Sequence, residues 1–258
     1  MAYSKQDYIA VFDSGLGGLS VLRHLQRIMP NENYLYYGDS ANAPYGRRTT
    51  AQVRELTMAA VDYLLENFPV KALVVACNTA TAAAIGHLRA LYPDLVVIGI
   101  EPALKLAADR FPGGRIGVMA TQVTLREEKF HNLWQRVAAG CQVYPIEAPG
   151  LVELVEAGAE NSPAALELLQ RLLGSYAGKL DALVLGCTHY PFAEKAISAV
   201  LGDTTALLDG GDGTARETRR RLAEAELLAQ PLQEGSLLIQ CSGDTNKFRN
   251  LAEKLLNR

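Results

Sequence analysis

Residues Ala72 to Thr79 read ALVVACNT, and residues Ala182 to His189 read ALVLGCTH. Each is an apolar run ended by a cysteine and then by polar side chains. Unbroken Val, Leu and Ala, without polar alternation, is the pattern of a strand buried on both faces of a parallel sheet. A second matched pair precedes them: IAVFDS (Ile9 to Ser14) and IGVMAT (Ile116 to Thr121). Asp13 lies 64 residues before Cys77, and the corresponding Ala120 lies 67 residues before Cys187. Buried strands share Val and Leu by chance. Matched order, matched spacing and a cysteine at the same strand end point instead to a duplicated unit.

Working outward, short β-rich runs alternate with amphipathic stretches along nearly the whole chain, the signature of parallel α/β architecture. Strands are expected at Tyr8-Phe12, Tyr34-Tyr37, Ala72-Ala76, Val96-Ile100, Ile116-Ala120, Val143-Ile146, Ala182-Leu185, Ala206-Leu208 and Leu237-Cys241. Helices fill the gaps, as at Leu19 to Met29, before Pro30, and Thr49 to Asn67, where Val53, Leu56, Ala60, Leu64 and Leu65 share a face. The expected fold is α/β: two similar open parallel-sheet lobes related by a pseudo-twofold axis. Residues 1-97 plus 208-258 form the lobe carrying Cys77, and residues 98-207 the lobe carrying Cys187. In such sheets ligands collect beyond the carboxyl ends of the strands, where both cysteines fall. The active site is therefore expected in the cleft between the lobes, with one thiol on each side.

Composition narrows the function classes. The 258 residues are 49% hydrophobic, and 25 basic against 28 acidic side chains leave a formal charge of -3. An extended basic tract is missing, so nucleic acid is not an expected partner. Arg219-Arg220-Arg221 lies in a stretch, Gly213 to Ala225, that reads as a helix with a solvated face. No apolar run approaches the roughly 20 residues needed to span a bilayer, and the first residues lack a secretory h-region. A membrane is not expected as a partner, and the cytoplasm is the expected compartment. Four cysteines, far apart and none in a CxxC pair, read as free thiols rather than as disulfides or a zinc site.

Context separates the four thiols. Cys141 opens a strand and Cys241 ends one near the C-terminus; both read as structural. Cys77 and Cys187 stand at strand-to-helix turns, followed by Asn78-Thr79 and Thr188-His189, where backbone N–H groups favour a thiolate. A free thiol is only a few per cent ionised at neutral pH, so each needs a helper. His189 and Asp13 are the candidates. His24, His87 and His131 lie in helical stretches and read as structural. The loop Gly38-Asp39-Ser40-Ala41-Asn42-Ala43-Pro44-Tyr45-Gly46 is equally a binding loop or a long turn. Asp13-Ser14-Gly15-Leu16-Gly17-Gly18 matches neither GxGxxG nor GxxxxGK[ST], and Asp209-Gly210-Gly211-Asp212-Gly213 fails as a calcium loop because its twelfth position is Arg220.

Five motifs in order, FDSGLGGLSVL, YYGDSANAPYG, ACNTATAA, PGLVELVEAG and LGCTHYP, resemble glutamate racemase, of the cofactor-independent aspartate/glutamate racemase superfamily. The resemblance implies an isomerase that makes D-glutamate for bacterial peptidoglycan, with glutamate as its small-molecule substrate and neither cofactor nor metal. It implies that Cys77 and Cys187 alternate as proton acceptor and donor, Cys77 on D-glutamate and Cys187 on L-glutamate, supported by Asp13, Glu153 and His189. Asp13, Ser14, Tyr45, Gly46, Asn78, Thr79, Thr188 and His189 would hold the substrate, joined by Thr121 and Thr124. The role of Glu153 rests on the motif alone. A homodimer is compatible with it, although no residue sets the oligomeric state. Three positions depart from the family pattern: Asn42 stands for the common Arg, Ala120 for Gly, and Gly210 for Ser.

Rival readings make different demands. A racemase for aspartate or another amino acid shares every feature above. A one-thiol decarboxylase leaves one cysteine without a role, and a thiol hydrolase built on Cys187 and His189 leaves Cys77 without one. A non-catalytic binding protein would have no need of both thiols. A redox pair requires Cα atoms within about 7 Å, closer than thiols flanking a substrate.

Overall fold

The computed structural model describes residues 3–100, 103–126, 128–138 and 140–257. Its contacts divide the chain into two units, Met1–Ile100 with Gly211–Arg258, and Glu101–Gly210. In chain order the elements are β1 (Tyr8–Asp13), α1 (Leu19–Ile28), β2 (Asn33–Gly38), α2 (Thr50–Asn67), β3 (Val70–Val75), α3 (Asn78–Leu91) and β4 (Val96–Gly99). The second unit contributes α4 (Leu104–Arg110), β5 (Arg115–Ala120), α5 (Gln122–Arg126), α6 (Glu128–Ala138), β6 (Gln142–Glu147), α7 (Leu151–Glu156), α8 (Pro163–Leu173), β7 (Ala182–Leu185), α9 (Glu194–Leu201) and β8 (Ala206–Asp209). The chain then returns to the first unit with α10 (Gly211–Glu224), β9 (Ser236–Cys241) and α11 (Thr245–Leu256). All nine expected strands form, each within about two residues of its expected ends. A domain cut between residues 207 and 208 would fall inside β8, whose four residues all pair with β7.

Every strand pairing is parallel. The first sheet has the order β4-β3-β1-β2-β9 and the second β6-β5-β7-β8. Written from the other edge, the second is β8-β7-β5-β6, so β1, β2, β3 and β4 occupy the places of β5, β6, β7 and β8. The repeated segments of the sequence therefore sit at equivalent sheet positions. Among the described residues, β9 of the first unit has no counterpart in the second.

The central strands of both sheets, β1, β3, β5 and β7, are buried on both faces, as their largely apolar sequences require. In the second unit Leu183 and Leu185 pack into a core with Leu169, Leu173 and Ile197, while Ala182 and Val184 face the opposite way, against Leu104, Val118 and Phe130. In the first, Phe12, Leu73 and Val75 pack against Val61 and Leu64 of α2 and Leu88 of α3. α2 begins on a capping box: Thr49 Oγ1 accepts from the Gln52 N–H and the Gln52 side chain accepts from the Thr49 N–H.

The far end of the first sheet holds a buried ion pair. Lys71 is 0% exposed, and its Nζ donates to Glu32 Oε2 and the Lys5 carbonyl, both at 2.6 Å, and to the Leu227 carbonyl at 3.0 Å. All three ammonium hydrogens are thereby used. Glu32 Oε1 accepts from the Ala229 N–H at 2.8 Å. The pair ties together residues from near the start of the chain and from the segment that follows α10. Among the described residues no helix is long and apolar enough to cross a membrane. The three consecutive arginines lie exposed on α10, where Arg220 pairs with Glu217 and Glu224.

Candidate active site

At the end of β3, Cys77 turns the chain into α3 and caps it. Its Sγ accepts from the Ala80 N–H at 3.4 Å and lies 3.7 Å from Ser14 Oγ. The helix behind it is 14 residues long, and a helix N-terminus favours negative charge on the group that caps it. Asn78 and Thr79, the first residues of α3, are buried beside it. The Asn78 Oδ1 atom is itself buried and meets no hydrogen-bond donor.

The neighbouring strand β1 ends in Asp13, fully buried, whose Oδ1 accepts from the Gly15 N–H at 2.8 Å. The glycine-rich turn thus offers a backbone donor to a carboxylate of its own chain. Gly18 is required by close approach: a Cβ there would lie 2.7 Å from Asp13 Cβ and 3.0 Å from Ala76 Cβ. Residue Tyr45, in a short 3-10 turn over Tyr45–Arg47, packs its ring 6.4 Å from that of Phe12 and donates its hydroxyl to Asp39 Oδ2 at 2.6 Å. Burial, the Asp39 hydrogen bond and the nearby Asp39, Cys77 and Asp13 all push the Tyr45 phenol up, so it stays protonated. Thus Asp13, Ser14, Tyr45, Asn78 and Thr79 gather around Cys77 in the first unit.

The equivalent position in the second unit is built differently. Cys187 follows β7 after Gly186, and a 3-10 turn, Tyr190–Ala193, stands between it and α9. Sγ of Cys187 lies 3.7 Å from His189 Nδ1, and His189 Nε2 lies 2.6 Å from Glu156 Oε1 at the end of α7. The His189 side chain is 4% exposed and Glu156 25%. Burial alone would lower the imidazole, but the hydrogen bonds to Cys187 and Glu156, with their charges, outweigh it, and His189 titrates well above an ordinary histidine. Tyr190 is fully buried and is pushed up by burial and by Cys187, Glu153 and Glu147. Thr188 is buried beside Cys187, and Thr121 and Thr124 hydrogen-bond each other at 3.1 Å where β5 passes into α5.

Chemically, the histidine is held with one nitrogen committed. A carboxylate on Nε2 accepts the Nε2–H in both protonation states, which leaves Nδ1 as the atom that gains or loses a proton toward the thiol. All four cysteines are thiols outside any disulfide. Cys141 Sγ points to the Phe111 carbonyl at 3.5 Å and Cys241 Sγ to Thr245 Oγ1 at 3.9 Å, both away from these groups. His24 and His87 face Arg27 and Arg54 on helices, and His131 stacks on Trp134. The Asp209 to Gly213 stretch closes β8 and opens α10, where the Asp212 carboxyl is held below the usual range, chiefly by its Arg216 hydrogen bond.

The racemase family model for Asp/Glu/Hydantoin racemases matches residues 12–218. The chain belongs to the Asp/Glu/Hydantoin racemase family. A glutamate racemase of Clostridium perfringens (strain SM101 / Type A) is 45% identical over 96% of this chain and 95% of its own. Among solved structures, glutamate racemase isoform RacE1 from Bacillus anthracis superimposes with a TM-score of 0.88 at 32% identity, covering 98% of this chain and 95% of that one. The Escherichia coli glutamate racemase, solved with L-glutamate and the activator UDP-MurNAc-Ala, gives 0.85 at 33%, with the same coverage. Like these relatives, the protein is a racemase, an enzyme of the isomerase class.

One residue of the candidate site escaped the sequence reading. Glu156, rather than Glu153, meets His189 Nε2. Both lie in PGLVELVEAG, three residues apart on one helix and hence on neighbouring positions of one face. The motif alone does not choose between them. Glu153 is half-buried one turn earlier, where its charge acts on Tyr190.

Proposed function

We propose that this racemase interconverts L- and D-glutamate without a cofactor, using Cys77 and Cys187 as two acid-base groups. The observation that carries the reading is the equivalent placement of the two thiols, each buried at the carboxyl end of the same strand of a repeated sheet. The names of the relatives supply glutamate as the substrate.

Inversion at Cα requires removal of a proton from one face and delivery of another to the opposite face. One cysteine begins as thiolate and takes the Cα proton; the other begins as thiol and gives its own. The product leaves with inverted configuration and the two thiols with exchanged protonation. On L-glutamate Cys187 is the base, and on D-glutamate Cys77. His189 stabilises the Cys187 thiolate as imidazolium, with Glu156 holding Nε2–H. The α3 N-terminus, Ser14 and Asp13 serve Cys77.

The α-proton of an amino acid is far less acidic than a thiol, so negative charge developing on the substrate must be met by preorganised donors. Ser14, Thr79, Thr188 and the Gly46 N–H supply them to the carboxylates. Asn78 Oδ1, buried without a donor, suits the substrate ammonium, since a buried acceptor left unmatched costs about 1–3 kcal/mol. D-glutamate made this way would feed bacterial peptidoglycan.

The test is solvent deuterium at Cα of glutamate, with no pyridoxal phosphate or metal added. Cys77→Ser and Cys187→Ser should each abolish racemisation while sparing one-way exchange or elimination on a single enantiomer. Wild-type racemisation by either variant overturns the two-thiol assignment. Relief of a D-glutamate requirement in a bacterium lacking its own racemase tests the biosynthetic role.

A further inference from the structure

We propose that Asp39 and Ser242 are positioning residues of the substrate loop, through which the turn between β9 and α11 sets where Tyr45 stands beside Cys77. For its kinetic consequence this rests on the function proposed above.

Asp39 is only 3% exposed, and a carboxylate that deep is tolerated only when its oxygens are hydrogen-bonded. Its partners are neutral side chains from opposite sides of the loop. Oδ2 takes the Tyr45 hydroxyl at 2.6 Å, and Oδ1 takes Ser242 Oγ at 2.6 Å and Asn42 Nδ2 at 3.0 Å. Hydrogen bonds to an ionised acceptor are shorter and roughly twice as strong as neutral ones. The carboxyl therefore links the Tyr45 ring directly to Ser242.

Ser242 is tied in three ways. Its hydroxyl donates to Asp39 and accepts from the Ala41 N–H at 3.0 Å, and its own N–H donates to the Gly38 carbonyl at 3.1 Å. The next residue stays close to the loop: a Cβ on Gly243 would lie 2.7 Å from Ser40 Oγ. Beneath the loop, a Cβ on Gly38 would lie 2.3 Å from the Phe248 ring of α11. The loop is thus seated on an element more than 190 residues away in sequence. The other end of the same loop is the one that feels Cys77 and Asp13. A misplacement of about 1 Å at such a group can cost 10²-fold in rate.

The experiment compares wild type, Ser242→Ala, Ser242→Thr and Asp39→Asn in three readouts: KM and kcat for each enantiomer, amide hydrogen exchange, and Tm. Ser242→Ala should raise KM for both enantiomers about tenfold, the loss of one charge-assisted hydrogen bond, with kcat changed less. Amides 39–46 should exchange faster, with exchange in the second unit unchanged. Threonine keeps the hydroxyl and should restore both, whereas Asp39→Asn should reproduce the alanine phenotype. Wild-type KM and unchanged loop exchange in Ser242→Ala overturn the proposal. So does a failure of threonine to rescue, or a KM rise that follows the fraction of unfolded protein. Should the wild type leave glutamate unchanged, the proposed function fails, while loop exchange still decides the tether.

Discussion

Cys77 and Cys187 occupy equivalent places in two sheets of the same strand order, yet their surroundings have little in common. Cys77 caps a long helix and has a serine hydroxyl nearby, with a buried aspartate ending the adjacent strand. Cys187 precedes only a 3-10 turn and is served by a titratable histidine with its own carboxylate. At the end of β5, where β1 has Asp13, the second unit has Ala120. The repeated scaffold has thus kept the position of the thiol and surrounded it with two different sets of groups. Beside Cys77 stand a helix N-terminus, a hydroxyl and a buried carboxyl; beside Cys187 stands an imidazole with a carboxylate of its own.

That contrast can be broken by mutation. Serine at either cysteine should lower racemisation by at least about 10³-fold, in line with removal of an acid-base group. His189→Asn should follow, with about 10²-fold lost from kcat/KM. Because L- and D-glutamate are isoenergetic, the loss must be equal in both directions, so the asymmetry is read from isotope effects. With Cα-deuterated L-glutamate the effect should grow, as abstraction by Cys187 becomes limiting; with deuterated D-glutamate it should shrink. Isotope effects that change alike in both directions would place His189 in service of both thiols.

Glu156→Gln should cost less, about tenfold, and should lower the His189 titration followed by NMR. Its signature in stability has a definite sign. The folded His189 titrates above its unfolded value, about 6.5, so the pair stabilises the protein fully below that pH and ceases to do so as pH rises through the folded value. The Tm gap between wild type and Glu156→Gln should be widest near pH 5 to 6.5 and close on the alkaline side. A gap independent of pH would mean that Glu156 acts through packing. Glu153→Gln, by contrast, should leave the His189 titration unmoved. Ser14→Ala should cost about tenfold in kcat/KM as well, since the hydroxyl both lies 3.7 Å from the Cys77 sulfur and is a proposed donor to a substrate carboxylate, a hydrogen bond to a charged group worth roughly 1.5–3 kcal/mol.

The sheets were legible because burial on both faces writes itself as uninterrupted apolar sequence, and the duplication because two such segments recur in order. Asp13 and His189 could be read as candidate helpers because Asp13 ends β1 and His189 lies two residues after Cys187. Glu156 was hidden by helical spacing, as the choice between it and Glu153 depends on the rotation of α7, which no local pattern fixes. Asp39 was read only as one member of a loop that was equally a binding loop or a long turn, because its own contacts depend on Ser242, on the far side of an inserted unit. Likewise the second strand order could be matched to the first only once pairing was known, whereas β9 has no counterpart that a repeat could have announced.

The ion pair of Lys71 and Glu32 also bears on how the chain is made. Its third acceptor is the Leu227 carbonyl, Glu32 receives the Ala229 N–H, and β2 gains its outer neighbour only at Ser236–Cys241. As the polypeptide leaves the ribosome, the first sheet must wait with an incomplete ammonium cage and an open strand edge while the whole second unit is synthesised. That unit is contiguous and can close its own core first. At about 5–20 residues per second, the wait lasts roughly 5 to 20 seconds, the interval in which an edge such as β2 is most exposed to wrong partners.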